Sequence, residues 1–150
     1  MRLSTKGRYG VMAMYQLARS YQNPQAVSLK NIANKLNYSE AYLEQLFANL
    51  KKDRLVFSKR GPKGGYVLSR PPDQITVGEI IRSLEGPIEI SSCVGEESGS
   101  FSCENSSLCV TKVLWEKIND SINSVIDHIT LEDMLNEYKK PVAAGKGAEV

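Results

Sequence analysis

The first seventy residues contain three short segments whose apolar residues recur at helical spacing, and a basic, glycine-rich stretch follows them. Ser4, Ser28 and Ser39 stand ahead of these segments, where a helix N-cap is expected. The first helical face runs through residues 10–21, and Asn37-Tyr38 forms the turn between the second segment and the third. Two short helices joined by a tight turn, the second longer and followed by basic residues, predict a helix-turn-helix.

A hairpin is predicted after the third helix. Two strand patterns, residues 55–58 and 65–69, flank a loop whose glycines and proline favour a tight turn. Arg60 and Lys63 would project from this loop, and together with Gly64 they are its predicted DNA contacts. A basic hairpin after a helix-turn-helix is a wing, which suits phosphates or the minor groove. The predicted fold class is mainly α with a small β wing, with a winged helix-turn-helix over residues 1–70.

Charge is divided unequally along the chain. Residues 1–70 contain thirteen Lys and Arg against three Asp and Glu, a balance of +10, whereas residues 71–150 contain six against fourteen, a balance of −8. The two balances add to the net charge of +2. A strongly basic half indicates a polyanionic partner, most simply double-stranded DNA. A solvated basic surface is the alternative that charge alone leaves open.

The third helix is expected to enter a major groove, with side chains near its N-terminus reaching base edges. The candidate residues on this exposed face are Ser39, Glu40, Ala41, Glu44 and Gln45. Glutamine can pair with adenine, and glutamate can accept a hydrogen bond from cytosine. An ordinary helix-surface charge is the alternative for Glu44. Arg8 and Tyr42 complete the predicted DNA contacts, and packing between helices is the alternative for Tyr42.

All three cysteines, Cys93, Cys103 and Cys109, lie in one polar loop over residues 91–110. A polar loop of this length is uncommon inside a compact domain and is usually functional or disordered. We expect no membrane span, because no apolar run is long enough, and a cytoplasmic protein, because no apolar signal core follows the basic N-terminus. Clustered thiols in that reducing compartment favour a cluster, a metal such as zinc, or redox-active cysteines over disulfides.

Helices are predicted on both sides of the cysteine loop. Thr76 and Glu79 form a capping-box pattern that opens a helix in the connecting region, residues 71–90. A longer helix begins at Val110, and its apolar stripe indicates a homodimer, with packing against the N-terminal region as the alternative. A two-fold protein also matches a pseudo-palindromic operator. Residues 111–138 are then the dimerisation helix and a short final helix, and residues 139–150 a disordered tail.

Four segments of the chain are similar to one known family. They are residues 1–10 (MRLSTKGRYG), 42–46 (YLEQL), 60–66 (RGPKGGY) and 129–133 (ITLED). Together they resemble the Rrf2 family of bacterial winged-helix regulators over about residues 1–138. The resemblance implies a DNA-binding dimer in which Ser39, Glu44, Gln45 and Arg60 read the operator. It also implies an iron–sulfur cluster, of 2Fe-2S type, in the cysteine loop, with zinc as the less favoured occupant.

The family subgroup with three cysteines regulates iron–sulfur cluster biogenesis genes, so the resemblance implies a regulator that senses cluster status through Cys93, Cys103 and Cys109. The first cysteine interval is wider than the family pattern, and Lys112 stands where that pattern has a histidine. A protonated lysine has no lone pair to donate, so the fourth ligand stays open among Glu96, Glu97, Glu104, a serine, an exogenous thiol and water.

Two regulatory alternatives remain, a cluster-free repressor of cysteine metabolism from the same family and a repressor that senses nitric oxide or redox state. An enzyme is not expected, because the sequence contains no recognisable nucleophile–base pair and no phosphate-binding loop.

Overall fold

The computed structural model describes residues 3–23, 25–94 and 109–139, and it confirms the predicted fold class. The described part is mainly helical, with one two-stranded antiparallel sheet. The elements in chain order are α1 (Thr5–Arg19), α2 (Leu29–Leu36), α3 (Glu40–Lys52), β1 (Val56–Lys59), β2 (Gly65–Leu68), a 3-10 turn (Pro72–Gln74), α4 (Val77–Glu85), α5 (Val110–His128) and α6 (Leu131–Lys139). Cys103 and residues 140–150 of the predicted tail lie outside the described residues, whereas Lys139, predicted to begin that tail, is the last residue of α6.

The starts of the first three helices follow from side chains that cap them, as predicted. The hydroxyl oxygens of Ser4, Ser28 and Ser39 accept hydrogen bonds from backbone N–H groups two or three residues later, at 3.2, 3.2 and 3.3 Å. Each cap satisfies one of the N–H groups that a helix start leaves without a partner. Asn37, with φ 56°, then ends α2 and turns the chain into α3.

One core joins the helices to the wing. Met14 of α1, Ile32 of α2 and Leu43 of α3 are fully buried together. Phe47 of α3 packs against the ring of Tyr66 in β2, with ring centroids 4.9 Å apart. The wing is therefore held against the helix-turn-helix by aromatic packing and does not project as a free hairpin.

The wing strands lie within one residue of the predicted segments. Val56 pairs with Leu68 and Lys59 with Gly65, so the first strand begins and ends one residue later than expected. Leu55 stays outside the strand because its N–H donates to the Leu50 carbonyl at the end of α3, at 2.9 Å. A third backbone segment also pairs with the sheet, since Val27 exchanges hydrogen bonds with Tyr66 at 2.9 and 2.8 Å. A Cβ at Gly65, where φ is +153°, would lie 2.3 Å from the carbonyl oxygen of Val27, so only glycine fits there.

Helix α4 begins at the predicted capping box and packs on α1. The Glu79 N–H donates to the Thr76 hydroxyl oxygen at 3.1 Å, and the Thr76 N–H donates to the Glu79 carboxylate at 2.9 Å. A Cβ at Gly10 of α1 would lie 2.0 Å from a methyl group of Leu84, so the absence of a side chain lets the two helices approach closely.

Helix α5 contacts its own chain through polar groups. Arg82 of α4 donates to both carboxylate oxygens of Asp127 at 2.6 and 2.9 Å, and to the Asn123 amide oxygen at 2.8 Å. Asn123 also donates to the carbonyl of Ile88 at 3.4 Å, and the Ile90 N–H donates to Asn119 at 3.3 Å. These bonds attach α5 both to α4 and to the segment that leads toward Cys93.

The final helix returns to the first. The Asp133 N–H donates to the Thr130 hydroxyl at 3.1 Å, and the Thr130 N–H donates to the Asp133 carboxylate at 2.9 Å, which is a capping-box arrangement at the start of this helix. Leu131 is fully buried in the same core as Met14. None of the described helices has the length and apolar content needed to cross a lipid bilayer.

The pair Arg82–Asp127 makes stability depend on pH. Hydrogen bonds from Arg82, together with its charge, hold the pKa of the Asp127 carboxyl below its ordinary value. Stability from the pair is therefore present above the unfolded pKa of about 4 and is lost as pH falls through the lower, folded pKa. Because both side chains are roughly 40% exposed, we expect Asp127→Asn to cost at most about 1 kcal/mol at pH 7.

Urea unfolding of the wild type and Asp127→Asn at pH 7 and at pH 3 measures this effect. The difference between the two proteins should shrink at the lower pH. Asp120→Asn removes the same charge from an exposed position of α5 and should change stability little. An equal loss for Asp127→Asn at both pH values would contradict the assignment.

Candidate nucleic-acid interface and cysteine site

The exposed face predicted for α3 is present. Ser39, Glu40, Ala41, Glu44 and Gln45 are all exposed, whereas Leu43, Leu46 and Phe47 on the opposite face are buried. The burial of that opposite face fixes the helix in the core, so the five residues form one exposed stripe over the first two turns. A stripe at this place has the geometry that major-groove reading needs.

Tyr42 differs from its neighbours on α3 because it is half-buried and contacts α1. Its hydroxyl lies 3.3 Å from the Thr5 hydroxyl, and its ring meets the ring of Tyr9 edge-on at 5.9 Å. Tyr9 in turn stacks on Tyr38 with ring centroids 4.1 Å apart. These contacts favour the packing role for Tyr42, since they join the start of α3 to the first two turns of α1.

Arg8 is exposed and lies near this tyrosine cluster. Burial raises the pKa of the Tyr38 hydroxyl, and Tyr9 adds to the rise, while the positive charge of Arg8 acts in the opposite direction. Tyr38 occupies the turn between α2 and α3, so Arg8 is brought beside the start of the exposed stripe. The sequence alone gave no distance between these two regions.

The wing presents the other predicted contacts. Arg60 and Lys63 are exposed, and Gly64 is half-buried behind them, with its N–H donating to the Gly61 carbonyl at 2.9 Å. A Cβ at Gly64 would lie 2.4 Å from the Lys59 carbonyl oxygen, so this glycine shapes the turn. The two cations therefore stand on a tight, hydrogen-bonded turn, and exposed cations there suit contact with phosphates.

The described cysteines lie at the two ends of the segment between α4 and α5. The Cys93 sulfur lies 3.1 Å from the Ser91 hydroxyl, and the Cys109 sulfur lies 3.0 Å from the Thr111 hydroxyl. Cys109 is the N-cap residue of α5. Hydrogen bonds from the Thr111 hydroxyl and then from the Lys112 backbone N–H lower the pKa of the Cys109 thiol. The thiolate that these groups favour is the form that binds metals, so the donor chemistry fits a metal or cluster.

Other side chains near these thiols do not complete a ligand set in the described residues. No group of three or more Cys, His, Asp or Glu is placed there to hold a metal ion. Lys112 forms an ion pair of 4.0 Å with Glu116, and the His128 ring, at the far end of α5, lies 2.6 Å from the Ser124 carbonyl. Cys103 and the three candidate glutamates of the loop lie outside the described residues.

Three residues that the sequence reasoning missed are Arg82, Glu85 and Asn123, which connect elements far apart in the chain. A signal was available for the last of these. Asn119, Asn123 and Asp127 recur every four residues and so mark a polar face on a helix that otherwise reads as apolar. No comparable sequence pattern indicates the contact that Glu85 makes.

Comparison with known proteins places these features in a family. A family profile described as "Rrf2: Iron-dependent Transcriptional regulator" matches residues 3–137. The HTH-type transcriptional regulator IscR of Erwinia tasmaniensis is 38% identical over 147 residues, which cover 97% of this chain and 86% of the relative.

Two solved structures are similar throughout. The IscR structure from T. potens has a TM-score of 0.73 and 45% identity, covering 95% of this chain and 94% of the other. The structure of CymR, the global cysteine regulator of B. subtilis, has a TM-score of 0.75 and 43% identity, covering 93% and 99%. These relatives are named as regulators and not as enzymes. The chain belongs to the Rrf2 family of transcriptional regulators.

Proposed function

We propose that this regulator binds DNA and senses an iron–sulfur cluster held by Cys93, Cys103 and Cys109, and that it controls genes of iron–sulfur cluster biogenesis. The observation that carries the proposal is the position of the two described thiols. Cys93 follows a segment that is hydrogen-bonded to α5, and Cys109 occupies the N-cap position of the same helix. A group that binds these thiols would therefore act where α4 and α5 meet.

The choice of a cluster rests on ligand chemistry and on relatives. Thiolates bind both zinc and iron–sulfur clusters, and the similarity to proteins named IscR favours the cluster, with 2Fe-2S as the type. A cluster of this kind supplies a redox-active centre when bound. A ligand other than cysteine in the fourth position raises its potential, and that ligand is left unassigned.

The DNA-binding surface combines the α3 stripe and the wing. Glu44 and Gln45 would read base edges, Ser39 would stand at the groove, and Arg60 and Lys63 would bind phosphates or the minor groove. Arg8 and Gly64 border the same surface, while Tyr42 supports it from beneath. A pseudo-palindromic operator follows if the protein is a symmetric dimer.

A homodimer is supported by the outward face of α5. Leu114, Ile118, Val125 and Ile129 follow one another at intervals of four, seven and four residues, which places them on one face of the helix, and all four are exposed. The polar face with Asn119, Asn123 and Asp127 is the one bonded to its own chain. An apolar stripe of this length facing solvent indicates a partner, and a second copy covers it by two-fold symmetry.

The mechanism we propose is a two-state switch. Cluster occupancy biases the segment between α4 and α5, and thereby the spacing of the two winged domains in the dimer. By linkage, the cluster changes operator affinity by the same free energy by which the operator changes cluster affinity.

One alternative has a specific observation in its favour. The structural similarity to CymR is as high as that to IscR, which supports a cluster-free repressor of cysteine metabolism. A repressor that senses nitric oxide or redox state would use the same labile cluster and differs in its signal.

The dimer is tested by placing a charge on the α5 stripe. Ile118→Glu and Val125→Glu should convert the dimer to a monomer, because two copies of a buried carboxylate would face each other without a partner. Sedimentation equilibrium measures the mass. Ser124→Glu adds the same charge beside the stripe and should leave the dimer intact. A monomeric wild type would overturn this part of the proposal.

The DNA surface is tested with an operator selected by the wild-type protein from random duplexes. Arg60→Ala and Lys63→Ala should weaken binding to all sequences and lower the slope of log affinity against log salt by about 1 each. Glu44→Ala and Gln45→Ala should instead relax base preference, by about 1–3 kcal/mol at a read position. Lys117→Ala, an exposed charge removal on α5, is the control. Unchanged preference in both α3 variants would argue against base reading.

The cluster is tested by anaerobic purification, visible absorbance, and iron and sulfide analysis. We expect a visible charge-transfer band in the wild type and its loss in Cys103→Ala and Cys109→Ala, with His128→Ala unchanged. Operator binding of as-isolated, apo and Cys103→Ala protein then tests the switch. Identical operator affinity and site preference in all three proteins would contradict the switch. A colourless protein without iron would favour the zinc or the cluster-free alternative.

A further inference from the structure

We propose that Glu85 is a positioning residue that connects the cysteine-bearing segment to the DNA-reading helix through the N-terminus of α1. This inference rests on the proposed function and deepens it. The connection has three parts: the carboxylate of Glu85 at the start of α1, the short path from Glu85 to the cysteine segment, and the contact of α1 with the start of α3.

The first part is a hydrogen-bonded cap supplied by another helix. The Glu85 carboxylate accepts from the Ser4 N–H at 2.8 Å and from the Gly7 N–H at 3.3 Å, and it also accepts from the Ser4 hydroxyl. The N–H groups at a helix start have no partner within the helix, and the helix dipole favours a negative charge there. Because Ser4 itself caps α1, Glu85 holds both the cap and the first turn.

Gly7 leaves the space that this carboxylate occupies. A Cβ at Gly7 would lie 3.0 Å from the carboxyl carbon of Glu85 and 3.1 and 3.2 Å from its two oxygens, which is tighter than ordinary contact. The missing side chain thus serves the Glu85 interaction, and it is also unfavourable for the helix in which it stands.

The second part is the position of Glu85 as the last residue of α4. Gly86 and Pro87 follow, and the next residues are bonded to α5, through the Ile88 carbonyl and the Ile90 N–H. Cys93 lies three residues beyond Ile90. A shift of this segment against α5 therefore reaches Glu85 across a few residues of chain.

The third part is the contact between α1 and α3. Thr5, in the first turn of α1, lies within 3.3 Å of the Tyr42 hydroxyl, and Tyr9 packs edge-on against the same ring. Tyr42 is the third residue of α3 and precedes Glu44 by two positions and Gln45 by three. The first turn of α1, which Glu85 hydrogen-bonds, is thus also the turn that contacts the start of α3, where the exposed stripe begins.

The test compares operator affinity of cluster-loaded and cluster-free protein, for the wild type and for variants. Glu85→Ala should lower affinity in the better-binding state by about tenfold, since a charge-assisted cap is lost, and should bring the loaded-to-free affinity ratio toward 1. Glu85→Gln keeps an acceptor oxygen and nearly the same shape, so it should fold and give an intermediate ratio. Asp73→Asn removes a charge from an exposed position outside this contact and should leave the ratio unchanged.

Gly7→Ala separates positioning from general stability. Alanine raises the intrinsic helix propensity of α1, yet its methyl group would force the Glu85 carboxylate to shift by a few tenths of an ångström. We therefore expect the affinity ratio to fall in the same direction as in Glu85→Ala, but by less. A variant that is thermally more stable than the wild type and keeps the wild-type affinity and ratio would overturn the proposal.

The outcomes distinguish this inference from the function on which it rests. A clear wild-type ratio that persists in both Glu85 variants overturns the role of Glu85 and leaves the cluster switch standing. A wild-type ratio of 1 overturns the switch itself, and the coupling role of Glu85 with it.

Discussion

The close approach of α4 to α1 is the contact on which the rest of the structure depends. It is possible because Gly10 has no side chain where Leu84 inserts and Gly7 none where Glu85 binds. Through it, Ile80 and Leu84 of the acidic half join the same core as Met14 of the basic half. Direct packing of this kind leaves no flexible linker between the two halves, so a displacement of α4 would reach α1 directly.

A second consequence concerns the orientation of α5. A helix at a protein surface normally buries its apolar stripe and exposes its polar face, but here Asn119 is only 8% exposed whereas Val125 is 57% exposed. The inward face is polar because its partners are a guanidinium and backbone groups, which need hydrogen bonds. Arg82 and the backbone of residues 88–90 therefore fix which side of α5 is left exposed.

The features that could be predicted from the sequence are local. The features that could not be predicted join residues that are far apart in the chain. The caps at Ser4, Ser28 and Ser39 join atoms two or three residues apart, so nearby sequence determines them. The hydrogen bond between Glu85 and Ser4 joins residues 81 positions apart, and no sequence pattern in either segment indicates that the two would meet. The exposed stripe of α3 was predictable for the same reason as the caps, since helical periodicity separates buried from exposed positions. The shared core and the packing of Tyr42 appeared only with the fold.

The contacts of the cysteine segment indicate which elements a displacement of that segment would move. Both described ends of the cysteine segment are attached to α5. Asn119 and Asn123 hydrogen-bond the backbone before Cys93, and Cys109 is the N-cap residue of the helix. The bidentate pair of Arg82 with Asp127 ties α5 to α4 one turn before Glu85. A group that draws the thiols together would thus act against a segment that is anchored on one helix and is joined at its other end to the C-terminal turn of α4. That turn carries Glu85, so the first element displaced would be the start of α1, beside α3, the helix that we propose reads the DNA.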